Sequence, residues 1–146
     1  MNRREMLLGG MALAGAALVG SAQAAEHDHG MHEHHHAAGS AALAASAADC
    51  VLKGEACLSH CLVLLGEGDK AMAECAQSVN QMLAVCNALQ QLASQNSKQT
   101  ARMAGIAMDA CQQCEDICKK HAKHAECKAC GESCAACYLE CKKIAA

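Results

Sequence analysis

The sequence predicts an all-α protein, an antiparallel up-down-up-down four-helix bundle with a Cys-lined core. Three observations predict this fold. The 146 residues include no Pro, Trp or Phe and many Ala, a composition that favours helices over strands. The thirteen cysteines recur mostly at steps of three and four, which place side chains on one face of an α-helix. Short links separate four helical segments of similar length, as in an antiparallel bundle.

Residues 1–24 have the features of an export signal. Arg3 and Arg4 precede a Gly- and Ala-rich apolar run, and the small-x-small pattern at residues 22–24 predicts cleavage after Ala24. The arginine pair and the weakly hydrophobic run are typical of the twin-arginine route, with a general secretory signal as the alternative. We therefore expect an exported, periplasmic protein whose mature chain has no membrane span.

Residues 25–39 are read as a flexible, His-rich tail that holds six of the nine histidines. Imidazole binds Cu(II), Zn(II) and Ni(II), so this tail could capture metal loosely. The same composition fits a solvated tail without a metal role equally well. Both interpretations stay open at this point.

The bundle domain is predicted over residues 40–146. Its first helix, residues 40–65, carries three cysteines within about 40° of one another at about 100° per residue; they are Cys50, Cys57 and Cys61. Glycines in the link at 66–68 end this helix, and Asp69 can cap the next one. The second helix, residues 70–94, carries Cys75 and Cys86 on one face.

The third helix begins after Asn96 or Ser97, either of which can cap it. It carries a stripe about 60° wide, and the fourth helix carries a second stripe about 80° wide. The third-helix stripe is Cys111, Cys114 and Cys118, and the fourth-helix stripe is Cys127, Cys130, Cys134, Cys137 and Cys141. The nine-residue step between the stripes is about 180° out of phase, so we predict a chain reversal near His121–His124.

Antiparallel packing gives each cysteine a height, counted from the end that holds the first and third links. The thirteen thiols then fall into shared layers about 5–6 Å apart along one axis. One predicted layer holds Cys111 and Cys137, and the next holds Cys50, Cys86 and Cys141. The spacing therefore favours a bundle interior filled by thiols.

Several kinds of interior could use so many thiols. Cysteine as a small core hydrophobe suits a few residues rather than thirteen. A disulfide-crosslinked structural protein is compatible with export, but thirteen is an odd number and neighbouring thiols on one helix project in parallel. Zinc and iron–sulfur centres require closed sets of four ligands, whereas a continuous row suits Cu(I), which accepts low coordination and bridging thiolates.

Four further side chains fall at the end of the bundle that holds the first and third links. They are His60, Met72, His121 and His124. Imidazole and thioether groups at a rim would form an uptake route for a soft metal. Cationic histidines near helix C-termini are also favourable on electrostatic grounds alone.

The spaced cysteines resemble those of the cysteine-rich four-helix-bundle copper storage proteins, and the leader resembles the exported branch of that family. The motifs are CxxxC at 57–61, CxxCxxxC at 111–118 and CxxCxxxCxxCxxxC at 127–141. The resemblance covers essentially all of the mature chain. It implies many Cu(I) ions bound by thiolates within each chain and assembly into a homotetramer.

The predicted function is storage and buffering of Cu(I) without catalysis. No nucleophile–base constellation is present. The net charge of -3 and the short Lys pairs argue against nucleic acid as a partner. A zinc or iron–sulfur module and a metal-free disulfide protein remain the alternatives, and no motif identifies the protein that would receive the copper.

Overall fold

The computed structural model describes residues 34–145 of the chain. This part contains four α-helices and no strand, which confirms the all-α prediction. The helices are α1 (His34–Gly66), α2 (Ala73–Ser94), α3 (Thr100–Lys120) and α4 (Ala125–Ile144), with a 3-10 turn at Lys70–Met72 before α2. The predicted export signal and the first part of the His-rich tail lie outside the described residues.

The helices form a ring in chain order. Each helix packs against its sequence neighbours, and α4 closes the ring against α1. Sulfur contacts give the directions: Cys57 of α1 lies beside Cys127 at the start of α4, whereas Cys50 lies beside Cys134 farther along α4. Adjacent helices therefore run antiparallel, and the predicted up-down-up-down bundle is confirmed.

Helix α1 already includes His34, the first described residue, whereas the sequence predicts a start near Ser40. The sequence around the predicted start is rich in Ala, the residue with the highest helix propensity. A single interior glycine, Gly39, costs only about 1 kcal/mol relative to Ala, which is too little to end such a helix. Residues 34–39 of the predicted tail are therefore helical.

The first link follows the predicted glycine-rich stop. Helix α1 ends at Gly66, and Gly68 has a φ of 96°, a left-handed conformation that other residues rarely adopt. The backbone N–H of Gly68 donates to the carbonyl of Leu65 at 3.0 Å. Asp69 then accepts a hydrogen bond from the N–H of Ala71 at 3.1 Å, which confirms Asp69 as a cap, although of the 3-10 turn that precedes α2.

The second link differs from its prediction. Asn96 has a φ of 50° and its N–H donates to the carbonyl of Ala93, so it closes α2 and does not cap α3. Ser97 does act at the next helix: its hydroxyl accepts from the N–H of Gln99 at 3.2 Å. Of the two predicted caps, Asn96 is therefore wrong, because Asn is one of the few residues that tolerate the left-handed conformation after a helix.

The third link confirms the reversal predicted from helical phase alone. Residues 121–124 form a turn between α3 and α4. The N–H of His121 donates to the carbonyl of Cys118 at 3.0 Å, and the N–H of His124 donates to the carbonyl of His121 at the same distance. The end of the bundle that holds this turn and the first link is called the link end below.

The opposite end of the interior is closed by aliphatic residues, called the aliphatic end below. Its buried members are Leu43, Ala47, Leu89, Ala93, Ala104 and Ala107. In α1 and α3 they precede the first cysteine of the helix, and in α2 they follow the last. None of the helices within residues 34–145 has a stretch long and apolar enough to cross a membrane.

Between these ends, α1 and α2 approach closely at Gly54. A methyl group added there would lie 2.7 Å from the terminal carbon of Met82 and 2.8 Å from a methyl of Leu83. Those distances are well inside van der Waals contact. Met82 is fully buried and fills this contact between the two helices.

Candidate metal centre

All thirteen cysteines lie inside the bundle. Each is at most 1% exposed, and all are free thiols. Their steps of three and four residues put them on the inner stripe of each helix. The inward orientation predicted from the spacing is confirmed.

Two groups of four sulfurs lie toward opposite ends of the thiol section. In each group all sulfur atoms lie within 4.8 Å of one another. The group nearer the link end is Cys57, Cys61, Cys75 and Cys127, and the group nearer the aliphatic end is Cys50, Cys86, Cys111 and Cys137. The second group takes one thiol from each helix, so it forms only when the whole bundle is assembled.

Two groups of three sulfurs lie between them. They are Cys57 with Cys118 and Cys130, and Cys114 with Cys130 and Cys134. Cys57 and Cys130 each belong to two groups, so three of the four groups share sulfur atoms. The fourth group is joined to them by a contact of 3.9 Å between Cys50 and Cys134. At the far end, Cys141 lies 4.0 Å from Cys137. The thiols therefore form a linked series along the axis.

Sulfur–sulfur distances fit metal bridging. Neighbouring sulfurs on different helices lie 3.7 Å apart in the pairs Cys57–Cys127 and Cys86–Cys111, far longer than the roughly 2.05 Å of a disulfide. A metal–sulfur bond of about 2.3 Å separates two sulfurs by about 3.8 Å across a tetrahedral angle and about 4.6 Å across a linear one. These pairs are therefore already spaced to hold an ion between them.

The structure places some cysteines one layer away from their predicted layer along the bundle axis. Counting from the helix ends places Cys50 and Cys86 beside Cys141, whereas the structure groups them with Cys111 and Cys137. Cys50, Cys57 and Cys86 therefore lie about one helical turn nearer the link end than this count assumes. Cys75 keeps its predicted layer, 4.0 Å from Cys118.

Within residues 40–145, no Lys, Arg or His is buried beside these sulfurs. Among the described residues, the buried polar or charged ones are Ser78, Thr100 and Ser133. Burial of unpaired charge is very costly. An ionised thiol in this interior must therefore be balanced by hydrogen bonds from other thiols or by a bound cation.

Contacts between thiols lower the pKa of some of them. A hydrogen bond from Cys111 is the main cause that lowers the pKa of Cys50 to about 5. Cys114 likewise lowers the pKa of Cys130, because a thiolate is stabilised by the S–H groups that donate to it. Each of the four groups contains at least one thiol of this kind: Cys50, Cys75, Cys130 or Cys137.

Burial has the opposite effect on two thiols at the link end. It raises the pKa of Cys61 to about 12 and that of Cys127 to about 11. Both thiols are protonated at neutral pH, so a metal must displace their protons to bind them. Metal affinity at these positions therefore falls as the pH falls.

The predicted rim residues occupy the link end. His60 and His124 are in direct contact: Nε2 of His60 lies 3.0 Å from Nδ1 of His124, and the ring centroids are 4.9 Å apart. Met72 is buried just before α2, and His121 is half-buried where α3 ends. The structure thus pairs two of the four residues and places the other two at the same end.

Sequence analysis did not identify Glu126 at this end. One of its carboxylate oxygens lies 3.7 Å from Nδ1 of His60, across the α1–α4 interface. A carboxylate in the first turn of a helix is ordinarily explained by the helix dipole. The only available signal was its position between His124 and Cys127 in a stretch of metal-binding residue types.

Comparisons with known proteins agree with this geometry. Residues 34–146 match the model of one protein family, described as copper storage protein. The solved structure of the Cu(I)-bound copper storage protein BsCsp3 has a similar fold, with a TM-score of 0.66 and 22% identity over 74% of this chain and 99% of that chain. No protein with a curated description matches the chain.

Proposed function

The chain belongs to the copper storage protein family, and on that premise we propose that it stores and buffers Cu(I) as thiolate-bound ions inside the bundle. The proposed ligands are Cys50, Cys57, Cys61, Cys75, Cys86, Cys111, Cys114, Cys118, Cys127, Cys130, Cys134, Cys137 and Cys141. The observation that carries the proposal is the linked series of buried free thiols with shared sulfurs. Cu(I) tolerates low coordination numbers and bridging thiolates, which such a series requires.

Charge balance supports a monovalent cargo. Because no Lys or Arg is buried in the described bundle, thiolates lack a protein counter-ion, and one Cu(I) per thiolate keeps the interior near neutral. A filled thiolate series also leaves no open ligand position for a substrate, in contrast to catalytic metal sites. We therefore propose binding without catalysis.

Zinc is the second candidate, and the two groups of four sulfurs favour it. Four thiolates around one ion are a common structural zinc site. Two such sites would use eight of the thirteen thiols, so zinc leaves five buried thiols without a ligand role. Iron–sulfur binding meets the same difficulty, because its clusters also use discrete sets of four.

Anaerobic titration of the fully reduced protein separates these candidates. We expect tight, colourless binding of about one Cu(I) per cysteine, since bridging thiolates serve more than one ion. Protein whose thiols are alkylated while unfolded is the control, and it should bind no Cu(I). Saturation by two to four divalent ions, with no further Cu(I) uptake, would favour zinc and contradict the proposal.

We propose that copper enters at the link end, through His60, Met72, His121 and His124. The half-buried imidazoles and the buried thioether lie at the end where Cys61 and Cys127 begin the thiol series. Replacing Met72 with Leu keeps its volume and removes the soft sulfur. This variant should take up Cu(I) more slowly with unchanged capacity, whereas the matched control Met103→Leu on α3 should load at the wild-type rate.

We propose that the protein assembles as a homotetramer, as the family resemblance implies. Leu52, Leu62 and Val63 are 57–61% exposed on α1, and Ile106 and Leu139 are similarly exposed on other helices. Leu52 and Val63 are eleven residues apart, which places them about 20° apart on one face. Apolar residues on more than one face suit a tetramer, because tetramers of two-fold symmetry use more than one interface.

Sedimentation analysis tests the assembly. The double variant Leu52→Gln with Val63→Gln should lower the particle mass to that of a dimer or monomer. Ala101→Gln, at an exposed position of α3 that is not one of these apolar residues, is the control for a general effect of added polarity. A wild-type protein that sediments as a monomer at all concentrations would contradict the proposal.

We propose that residues 1–24 direct twin-arginine export to the periplasm. That route carries folded proteins, so copper could be loaded in the cytosol, where thiols stay reduced. Replacing Arg3 and Arg4 with Lys should block export, and the retained protein should contain copper. Export that is unaffected by this change would indicate a general secretory signal, and copper-free retained protein would contradict cytosolic loading.

A further inference from the structure

At the link end, Glu126 of α4, His60 of α1 and His124 of the third link form a chain of contacts. Glu126 has no role in the function proposed above. The carboxylate of Glu126 lies 3.7 Å from Nδ1 of His60. Nε2 of the same imidazole lies 3.0 Å from Nδ1 of His124. The second ring nitrogen of His124, Nε2, is shielded from solvent and has no hydrogen-bond partner among the described residues.

The charge of Glu126 determines where the protons lie in this chain. A neutral imidazole carries its proton on one nitrogen and a lone pair on the other. The nearby carboxylate favours the proton on Nδ1 of His60, so Nε2 of His60 carries the lone pair. The contact with His124 then requires Nδ1 of His124 to donate, and the lone pair of His124 is left on its shielded Nε2.

A shielded nitrogen without a partner is costly to maintain. An unsatisfied buried polar atom costs about 1–3 kcal/mol, so such atoms in native proteins require an explanation. A lone pair on imidazole nitrogen is a metal ligand, and Cu(I) accepts imidazole as well as thiolate. Protonation of this nitrogen in the other tautomer would remove that ability.

We propose that Glu126, acting through His60, is a positioning residue that keeps His124 in the tautomer whose Nε2 can bind incoming Cu(I). Metal-binding histidines are commonly held by a carboxylate on the second ring nitrogen. Here a second imidazole extends that arrangement, so the carboxylate acts across the α1–α4 interface. The inference rests on the proposed function only in its choice of Cu(I) as the ion.

Nitrogen NMR of the reduced, copper-free protein tests the tautomer independently of copper binding. In the wild type, Nε2 of His124 should show the chemical shift of an unprotonated ring nitrogen and Nδ1 that of a protonated one. Glu126→Gln removes the charge and keeps the shape, so part or all of the His124 population should move to the other tautomer. Glu132→Gln is the matched control on α4, because Glu132 is exposed, lies 4.0 Å from Lys128 and contacts neither histidine. A proton on Nε2 of His124 in the wild type, or a tautomer unchanged by Glu126→Gln, overturns the proposal.

Copper uptake supplies the functional measurement. Mutation of the residue that hydrogen-bonds a metal-bound histidine typically lowers metal affinity or activity by 10–100-fold. We therefore expect Glu126→Gln to slow the first phase of copper uptake about 10-fold without changing the final capacity. Glu126→Asp should recover part of the rate, and adding Glu126→Gln to His124→Ala should slow uptake no further. An unchanged rate in Glu126→Gln overturns the positioning role, whereas a wild-type protein that binds no Cu(I) overturns the proposed function and leaves the tautomer result standing.

Discussion

The thiol section and the aliphatic end are both buried in one bundle, but different residues fill them. The thiol section has thirteen cysteines on the inner stripes of four helices, whereas the aliphatic end has only Leu and Ala among its defining residues. Buried aliphatic groups stabilise the fold without a ligand, by about 25 cal/mol per Å² removed from water. Buried thiols contribute less in this way and provide ligands instead. The comparison indicates that one end maintains the bundle when it is empty and the remainder binds the cargo.

The largest expected effect is stabilisation by copper, which acts on the thiol section alone. A ligand that binds only the folded state adds about 4 kcal/mol at a free concentration a thousand times its Kd, and many ions bind. The thermal unfolding midpoint measured by circular dichroism should therefore rise steeply with each ion added. Equal midpoints for loaded and empty protein would show that the thiol section does not bind the metal in the folded bundle.

The second-largest expected effect is a loss of unfolding free energy in Leu89→Ala, at the aliphatic end. Leu89 is fully buried, and truncation of a buried Leu typically costs about 2–5 kcal/mol. Denaturant unfolding of the empty protein should show this loss, while the number of Cu(I) ions bound should not change. Gln91→Ala, at an exposed position of the same helix, should stay within about 0.5 kcal/mol of the wild type. Loss of copper capacity in Leu89→Ala would contradict the division between the two regions.

A smaller effect separates positions within the thiol section. Cys130 belongs to two sulfur groups, whereas Cys141 is in contact with Cys137 at the end of the series. Cys130→Ser should therefore lower the Cu(I) capacity by more than one ion, because two groups lose a ligand. Cys141→Ser should lower it by at most one ion. Equal losses in the two variants, measured by anaerobic titration, would indicate independent sites.

The smallest effect is the pH dependence of the empty protein. Burial raises the pKa of Cys61 to about 12, above the value of about 8.5 for a thiol in the unfolded chain. A folded-state pKa that is raised contributes stability at pH values below the unfolded pKa, and this contribution disappears as the pH rises toward 12. The unfolding free energy should fall over that window, and less steeply in Cys61→Ala. An identical slope in the two proteins would contradict the shift.

Much of the fold was predictable because its signals are local. Cysteine steps of three and four give the inner face of each helix, and phase alone predicts the reversal at 121–124. The start of α1 and the role of Asn96 were not predictable, because cap preferences are weak compared with helix propensity and turn geometry. The contact of Glu126 was not predictable for a different reason: its partner His60 lies on α1, far away in the sequence.

The sequence by itself determined that the chain forms four helices with thiols on one face of each, because helical periodicity acts over a few residues. Only the tertiary structure decided which thiols share a group, since the heights of Cys50, Cys57 and Cys86 relative to α3 and α4 depend on how the helices pack. The same is true of the contact from Glu126 through His60 to His124. Contacts between helices depend on their relative height, and no spacing within one helix specifies it.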